Sequence, residues 1–194
     1  MKFLRTAISL VMLVAAARSA FAAAPAIGSS APSFTLTTLD GKSFSLAEAA
    51  KSHKLVVVMF IATKCPYSNA YNDRMRQMAQ DYGKKDVLFV GVNSNNTEPA
   101  EEVGAHAKEH RFTFPLMKDP GNKVADLYDA RRTPEVYIID REGKLQYHGR
   151  IDENYEDASK VASPDLRNAL DALLAGQQVA KAETKAFGCT IKRA

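Results

Sequence analysis

The sequence predicts an α/β domain with a central mixed β-sheet flanked by helices. Two continuous apolar runs, Leu55–Ile61 and Val87–Val92, have the length and β-branched character of strands buried on both faces. A stretch of helical period separates them, and such a crossover makes the two strands parallel. A third run, Val136–Ile139, turns through Arg141-Glu142-Gly143 into Leu145–Tyr147, which supplies an antiparallel edge.

Each element has a local reason. Phe34 and Leu36, then Phe44 and Leu46, flank Asp40-Gly41, a strong hairpin signal. The helix after Leu55–Ile61 places Tyr71, Met75, Met78 and Tyr82 on one face and closes at Gly83. Pro99 opens a further helix, with Glu101 and Glu102 in its first turns where the helix dipole favours anions, running to about His110. Phe112–Leu116 is short and extended. Asp119-Pro120-Gly121 is a turn, and Val124, Ala125, Leu127 and Tyr128 mark a short helix. Ser163 and Pro164 start the last helix, whose apolar stripe is Leu166, Leu170 and Leu173 and whose end is Gly176. A polar tail follows, and no internal repeat is visible.

The chain opens with Lys2 and Arg5, an apolar run from Ile8 to Ala17, and Ser19-Ala20-Phe21-Ala22, the pattern of a secretory signal peptide cut after Ala22. The expected organisation is therefore a leader at 1–22, a domain at 23–176 and a tail at 177–194. The leader's run is too short for a transmembrane anchor, and no later stretch is long enough to be one. The formal charge is +4, and removing Lys2, Arg5 and Arg18 leaves 23 basic against 22 acidic side chains, a net +1. That balance gives no reason to expect nucleic acid as a partner. Export to the periplasm or beyond matters for the two cysteines, Cys65 and Cys189, because an oxidising compartment allows them to pair.

Cys65 is the candidate nucleophile. It stands where a buried strand stops and a helix starts, in Thr63-Lys64-Cys65-Pro66-Tyr67-Ser68. Unpaired N–H groups and the positive end of a helix favour the thiolate, and Lys64 adds a cation next door. Only the thiolate attacks efficiently. Glu102, His106 and His110 share one helix face as metal ligands do, but that pattern more often belongs to a solvated face, and no metal is expected. His53 and His148 have no evident partner, and Asp152-Glu153-Asn154 reads as a solvated acidic loop at the rim of a cleft.

A strand-end Cys65-Pro66-Tyr67-Ser68 opening a helix, Thr133-Pro134 leading into a later strand, and Ile139-Asp140 with Gly143-Lys144 in the next hairpin together resemble the thioredoxin fold. The N-terminal hairpin and the helical insertion resemble its larger branch, the redoxin or alkyl-hydroperoxide-reductase/thiol-specific-antioxidant (AhpC/TSA) proteins and the exported thiol–disulfide oxidoreductases. The resemblance spans about Pro32 to Gly176. It implies a cis peptide bond at Pro134, in a loop beside the thiol where Thr133 and Pro134 present backbone to an extended thiol substrate. It also implies supporting roles for Thr63, Lys64, Pro66 and Ser68.

The sequence departs from both branches. Thioredoxin-type enzymes use Cys-x-x-Cys, and here the last position is Ser68, which retains the capacity to hydrogen-bond the sulfur. Peroxiredoxin-type enzymes have proline and Thr or Ser where this chain has Val58 and Ala62, and arginine where it has Pro134; Thr63, Arg131, Arg132 and Arg150 are the available substitutes. The missing second thiol is then Cys189, in Phe187-Gly188-Cys189-Thr190-Ile191-Lys192, as a resolving residue. A plain staple is the competing reading, since closing so long a loop stabilises a fold by about 4–5 kcal/mol in the chain-entropy model. The expected activity is thiol–disulfide exchange or peroxide reduction, with a protein disulfide or peroxide as substrate, an external thiol donor, and no organic cofactor. The alternative is a thioredoxin-fold binding module with a permanent Cys65–Cys189 bond.

Overall fold

In the computed structural model, which describes residues 24–193, the chain begins with β1 (Thr35–Thr37), β2 (Ser43–Ser45) and α1 (Leu46–Ser52). It continues through β3 (Leu55–Phe60), α2 (Pro66–Ala70), α3 (Asn72–Gly83), β4 (Val87–Asn93), α4 (Ala100–Glu109), β5 (Leu116–Lys118) and α5 (Lys123–Tyr128). It ends with β6 (Arg132–Thr133), β7 (Glu135–Asp140), β8 (Leu145–Gly149), α6 (Asp165–Leu174) and β9 (Cys189–Thr190). The expected leader at 1–22 lies outside the described residues. Among the described residues, no helix is long and apolar enough to cross a membrane.

The main sheet has the order β5-β4-β3-β7-β8. β3, β4 and β5 run parallel, and β7 is antiparallel to both β3 and β8. The sheet is therefore mixed, as the runs and crossovers require. β3 is its centre because every one of its side chains is apolar and buried. Leu55, Val57 and Met59 face one core with Met75, Met78 and Tyr82 of α3 and Leu166, Ala169 and Leu170 of α6. Val56, Val58 and Phe60 face the other with Leu46 and Ala50 of α1 and Val124 and Tyr128 of α5. Full burial of a Val, Leu or Phe side chain contributes roughly 1.5–3 kcal/mol, so β3, packed on both faces, firmly anchors the loop that leads to Cys65.

Three local readings change. The segment from Leu46 is a helix rather than the far side of the hairpin; Ser45 caps it by accepting from the Glu48 N–H at 3.5 Å. The helix after Cys65 is two pieces, α2 and α3, divided at Tyr71 (φ −95°, ψ −3°), whose buried hydroxyl donates to Asp152. The last helix begins at Asp165, and Ser163 Oγ donates to the Asp165 carboxylate rather than capping backbone.

Candidate active site

Cys65 is the N-cap of α2. Its Sγ accepts from the Ser68 N–H at 3.3 Å, the bond that a helix start offers, and Pro66 occupies the first turn, where a missing N–H costs nothing. The same sulfur donates to the Thr133 carbonyl at 3.1 Å. The Thr133–Pro134 peptide bond is cis, as the resemblance implied. Cys65 is only 2% exposed.

The tail lies against this thiol. β9 pairs antiparallel with β6, Thr133 opposite Cys189 and Arg132 opposite Thr190. Ile191 extends the ribbon by donating to the Arg131 carbonyl at 3.0 Å and buries its side chain in the core. Phe187 packs on Tyr67 and Tyr155, with ring centroids 6.3 Å and 6.1 Å away, while Tyr67 and Tyr155 lie 4.5 Å apart. Gly188 (φ +137°) fits because a Cβ there would overlap the Thr133 carbonyl oxygen. Both cysteines are free thiols. Burial pushes the Cys189 thiol up to about 11, and the neighbouring Cys65 thiol adds to that rise.

Two buried glutamates hold the loops that meet here. Glu98, 1% exposed, accepts from the backbone N–H groups of Thr63 (2.8 Å) and Lys64 (3.0 Å). It also accepts from the side-chain amides of Asn93 (2.5 Å) and Asn95 (2.9 Å). Desolvation opposes its charge, but these four donors outweigh it and hold the carboxyl below the usual value. Glu135, directly after Pro134, accepts from the Arg131 and Arg132 N–H groups at 2.8 Å and 2.9 Å, from the Tyr137 hydroxyl at 3.1 Å, and contacts His148 Nε2 at 2.6 Å. Burial again works against the charge, and His148 with the two N–H groups lowers the carboxyl nonetheless.

Several expected roles are redistributed. Lys64 does not address the thiol: its Nζ pairs with Glu102 at 2.9 Å and donates to the Thr97 carbonyl at 3.1 Å. Its backbone, held by Glu98, is what positions Cys65. The Ser68 hydroxyl accepts from the Ala62 N–H at 3.2 Å, so Ser68 reaches the sulfur through its backbone. The Thr63 hydroxyl donates to Glu102 at 2.9 Å. The Thr133 hydroxyl is buried without a hydrogen-bond partner among the described residues, so Thr133 acts here through its carbonyl. Arg131 pairs with Asp129, Arg132 donates to Gly188 O and Thr190 Oγ1, and Arg150 pairs with Asp165. These three are committed away from Cys65.

His53 and His148 do have partners, Asp86 (3.0 Å) and Glu135 (2.6 Å). Asp152 is buried against Arg74 (2.8 Å) and Tyr71 (2.9 Å) rather than solvated. His106 engages Asn72 at 3.2 Å. Sequence reasoning missed Glu98, Glu135 and Asn95 because each looks like an ordinary polar loop residue. A carboxylate directly after a cis-proline and another just before a helix start were the available signals.

The comparisons with known proteins fit this geometry. The AhpC/TSA family model matches residues 27–148. The chain belongs to the AhpC/TSA family. Its fold is the thioredoxin-like one that the motif resemblance implied. A crystal structure of a hypothetical protein, SMc02350 from Sinorhizobium meliloti 1021, superposes with a TM-score of 0.81 at 34% identity, covering 89% of this chain and 97% of that one. The thiol-disulfide oxidoreductase ResA of Geobacillus thermodenitrificans (strain NG80-2) is 30% identical over 149 residues, 74% of this chain and 83% of ResA. The chloroplastic peroxiredoxin Q of Triticum aestivum is 30% identical over 127 residues, 62% of this chain, and this chain spans only 57% of that protein's length. Named relatives are thus both thiol-disulfide oxidoreductases and peroxiredoxins. The family match stops before the tail.

Proposed function

We propose that this protein is an exported two-cysteine thiol oxidoreductase, with residues 1–22 removed as a signal peptide, 23–176 as the catalytic domain and Cys189 on the tail beyond it. The observation that carries the reading is that both cysteines meet at one residue: Cys65 Sγ donates to the Thr133 carbonyl, and Cys189 stands opposite Thr133 in the β6–β9 ribbon. Cys65 is the attacking thiol, because it caps a helix while the Cys189 thiol is pushed up to about 11 and stays protonated at neutral pH. The Cys65 thiolate attacks a substrate disulfide, forming a mixed disulfide and expelling one substrate thiolate. Cys189 then attacks the Cys65 sulfur and gives its proton to the second substrate sulfur, which leaves as a thiol as the Cys65–Cys189 bond forms. The substrate disulfide is reduced by two electrons, and an external dithiol returns the pair to the free thiols.

Disulfide exchange is favoured over peroxide reduction. Val58 and Ala62 stand where peroxide-activating groups belong, and the nearby arginines are engaged elsewhere. Pro134, with the Thr133 carbonyl before it, is the substrate-presenting element once β9, which pairs with Thr133 in the docked chain, moves aside. The test is thiol trapping with mass mapping in graded thiol buffers, alongside peroxide consumption driven by a thiol donor. A Cys65–Cys189 bond with a potential near about −120 to −230 mV, and slow peroxide turnover, supports the reading. A bond that holds below about −300 mV makes the pair a staple, and the binding-module alternative takes its place. Fast peroxide turnover reassigns the oxidant.

A further inference from the structure

Beside the ring packing of Phe187 on Tyr67, one buried polar side chain hydrogen-bonds toward both segments that carry the thiols. Asn95, 6% exposed, donates from Nδ2 to Glu98 Oε1 at 2.9 Å, and Glu98 holds the N–H groups of Thr63 and Lys64 just before Cys65. On its other side, Asn95 Oδ1 accepts from the Lys192 N–H at 2.7 Å, just beyond Cys189. The next residue completes the grip: the Asn96 N–H donates to the Lys192 carbonyl at 2.9 Å, and Asn96 Nδ2 donates to the Arg193 carbonyl at 2.7 Å. Lys118 Nζ fixes the Asn95 carbonyl at 2.8 Å.

The amide can point only one way. Reversed, its NH2 would meet the Lys192 N–H, donor against donor, and its oxygen would meet the Glu98 carboxylate. Aspartate fails at the second contact, and an apolar side chain fails at both.

We propose that Asn95 is a positioning residue that latches the Cys189 strand onto the Cys65 loop, keeping the resolving thiol docked and the attacking thiol covered. This rests on the two-cysteine reading above. Undocking lowers the effective concentration of Cys189 at Cys65 and uncovers Cys65.

The experiment uses Asn95→Leu together with Lys192→Pro, which removes the accepted N–H without touching Glu98, and Lys192→Ala, which keeps that N–H. In a Cys189→Ser background, the alkylation rate of Cys65 by iodoacetamide is expected to rise about tenfold for Asn95→Leu and for Lys192→Pro, and to be unchanged for Lys192→Ala. With both cysteines present, the equilibrium constant for the Cys65–Cys189 bond against glutathione is expected to fall about tenfold for the first two, about 30 mV for a two-electron couple. Thermal unfolding of each variant separates loss of the latch from loss of the fold. Should Asn95→Leu fail to fold, Lys192→Pro gives the decision alone. A normal wild-type bond with variants indistinguishable from wild type in both readouts overturns the latch and leaves the two-cysteine reading standing. A wild-type protein that forms no Cys65–Cys189 bond overturns that reading, and with it the latch's role in resolution.

Discussion

Glu98 and Glu135 solve the same problem on the two sides of the thiol pair, and they solve it differently. Each is a buried carboxylate that collects two consecutive backbone N–H groups: Thr63 and Lys64 before Cys65, Arg131 and Arg132 before Thr133-Pro134. Each thereby satisfies two consecutive backbone donors in the segment leading to its cysteine or proline. The remaining partners differ. Around Glu98 every contact is an N–H donor, so only a carboxylate satisfies both oxygens. Around Glu135 the second oxygen meets Tyr137 Oη and His148 Nε2, groups that can accept as well as donate. One loop is held by a set that demands an anion, the other by a set that tolerates a neutral amide. The stricter clamp sits behind Cys65.

Swapping each carboxylate for its amide sharpens that contrast most. Glu98→Gln turns an NH2 toward two donors and is expected to cost about 2–3 kcal/mol, whereas Glu135→Gln keeps an acceptor for Arg131 and Arg132 and is expected to cost about 1 kcal/mol or less. Urea unfolding at neutral pH measures both, and equal losses would remove the distinction.

The pH dependence follows from the same pair. Both carboxyls lie below the ordinary value of 4.5 in the folded chain, so their stabilisation is present above about pH 4.5 and is lost as pH falls through the lower folded values. Wild-type stability is expected to decline on acidification in that window, and Glu98→Gln to flatten the decline. A variant with the slope of the wild type would show that other carboxylates carry it.

On the tail side, Gly188→Ala is expected to expel β9, because the added methyl overlaps the Thr133 carbonyl at a positive φ. Loss of protection of the Ile191 amide in hydrogen exchange is the readout; retained protection would mean the ribbon can shift to make room. Phe187→Ala removes the ring's packing on Tyr67, Tyr155 and the adjoining core, and a smaller loss of about 1 kcal/mol in tail docking is expected by the same measurement.

The smallest effect belongs to Lys64→Ala. The Lys64–Glu102 pair lies at the solvent-screened surface, so little change in stability is expected on urea unfolding. A large drop in the reactivity of Cys65 in this variant would restore Lys64 as an electrostatic activator.

Local patterning was enough to place the sheet and Cys65, and the motifs around Cys65 and Pro134 carried the family resemblance. β-branched runs ending at a cysteine, followed by helical spacing, leave few ways to fold. Hairpin signals at Asp40-Gly41 and Gly143 fixed the flanking strands, and Thr133-Pro134 was legible as the loop beside the thiol. The capping-box spacing Ser45-x-x-Glu48 would also have revealed α1, had the apolar Leu46 not fitted the hairpin. Which polar groups meet is settled in three dimensions. Whether Lys64 faces the thiol or Glu102, whether Asp152 is solvated or buried, and whether the tail docks all depend on contacts between distant segments. A hydrogen bond from Lys192 to Asn95, or from Lys64 to Glu98, leaves no periodicity in the chain. Apolar patterning is a property of neighbours in sequence, whereas polar satisfaction belongs to neighbours in space. Cys189 could therefore be named as the second thiol from its sequence, but only the β6–β9 ribbon places it across from Thr133.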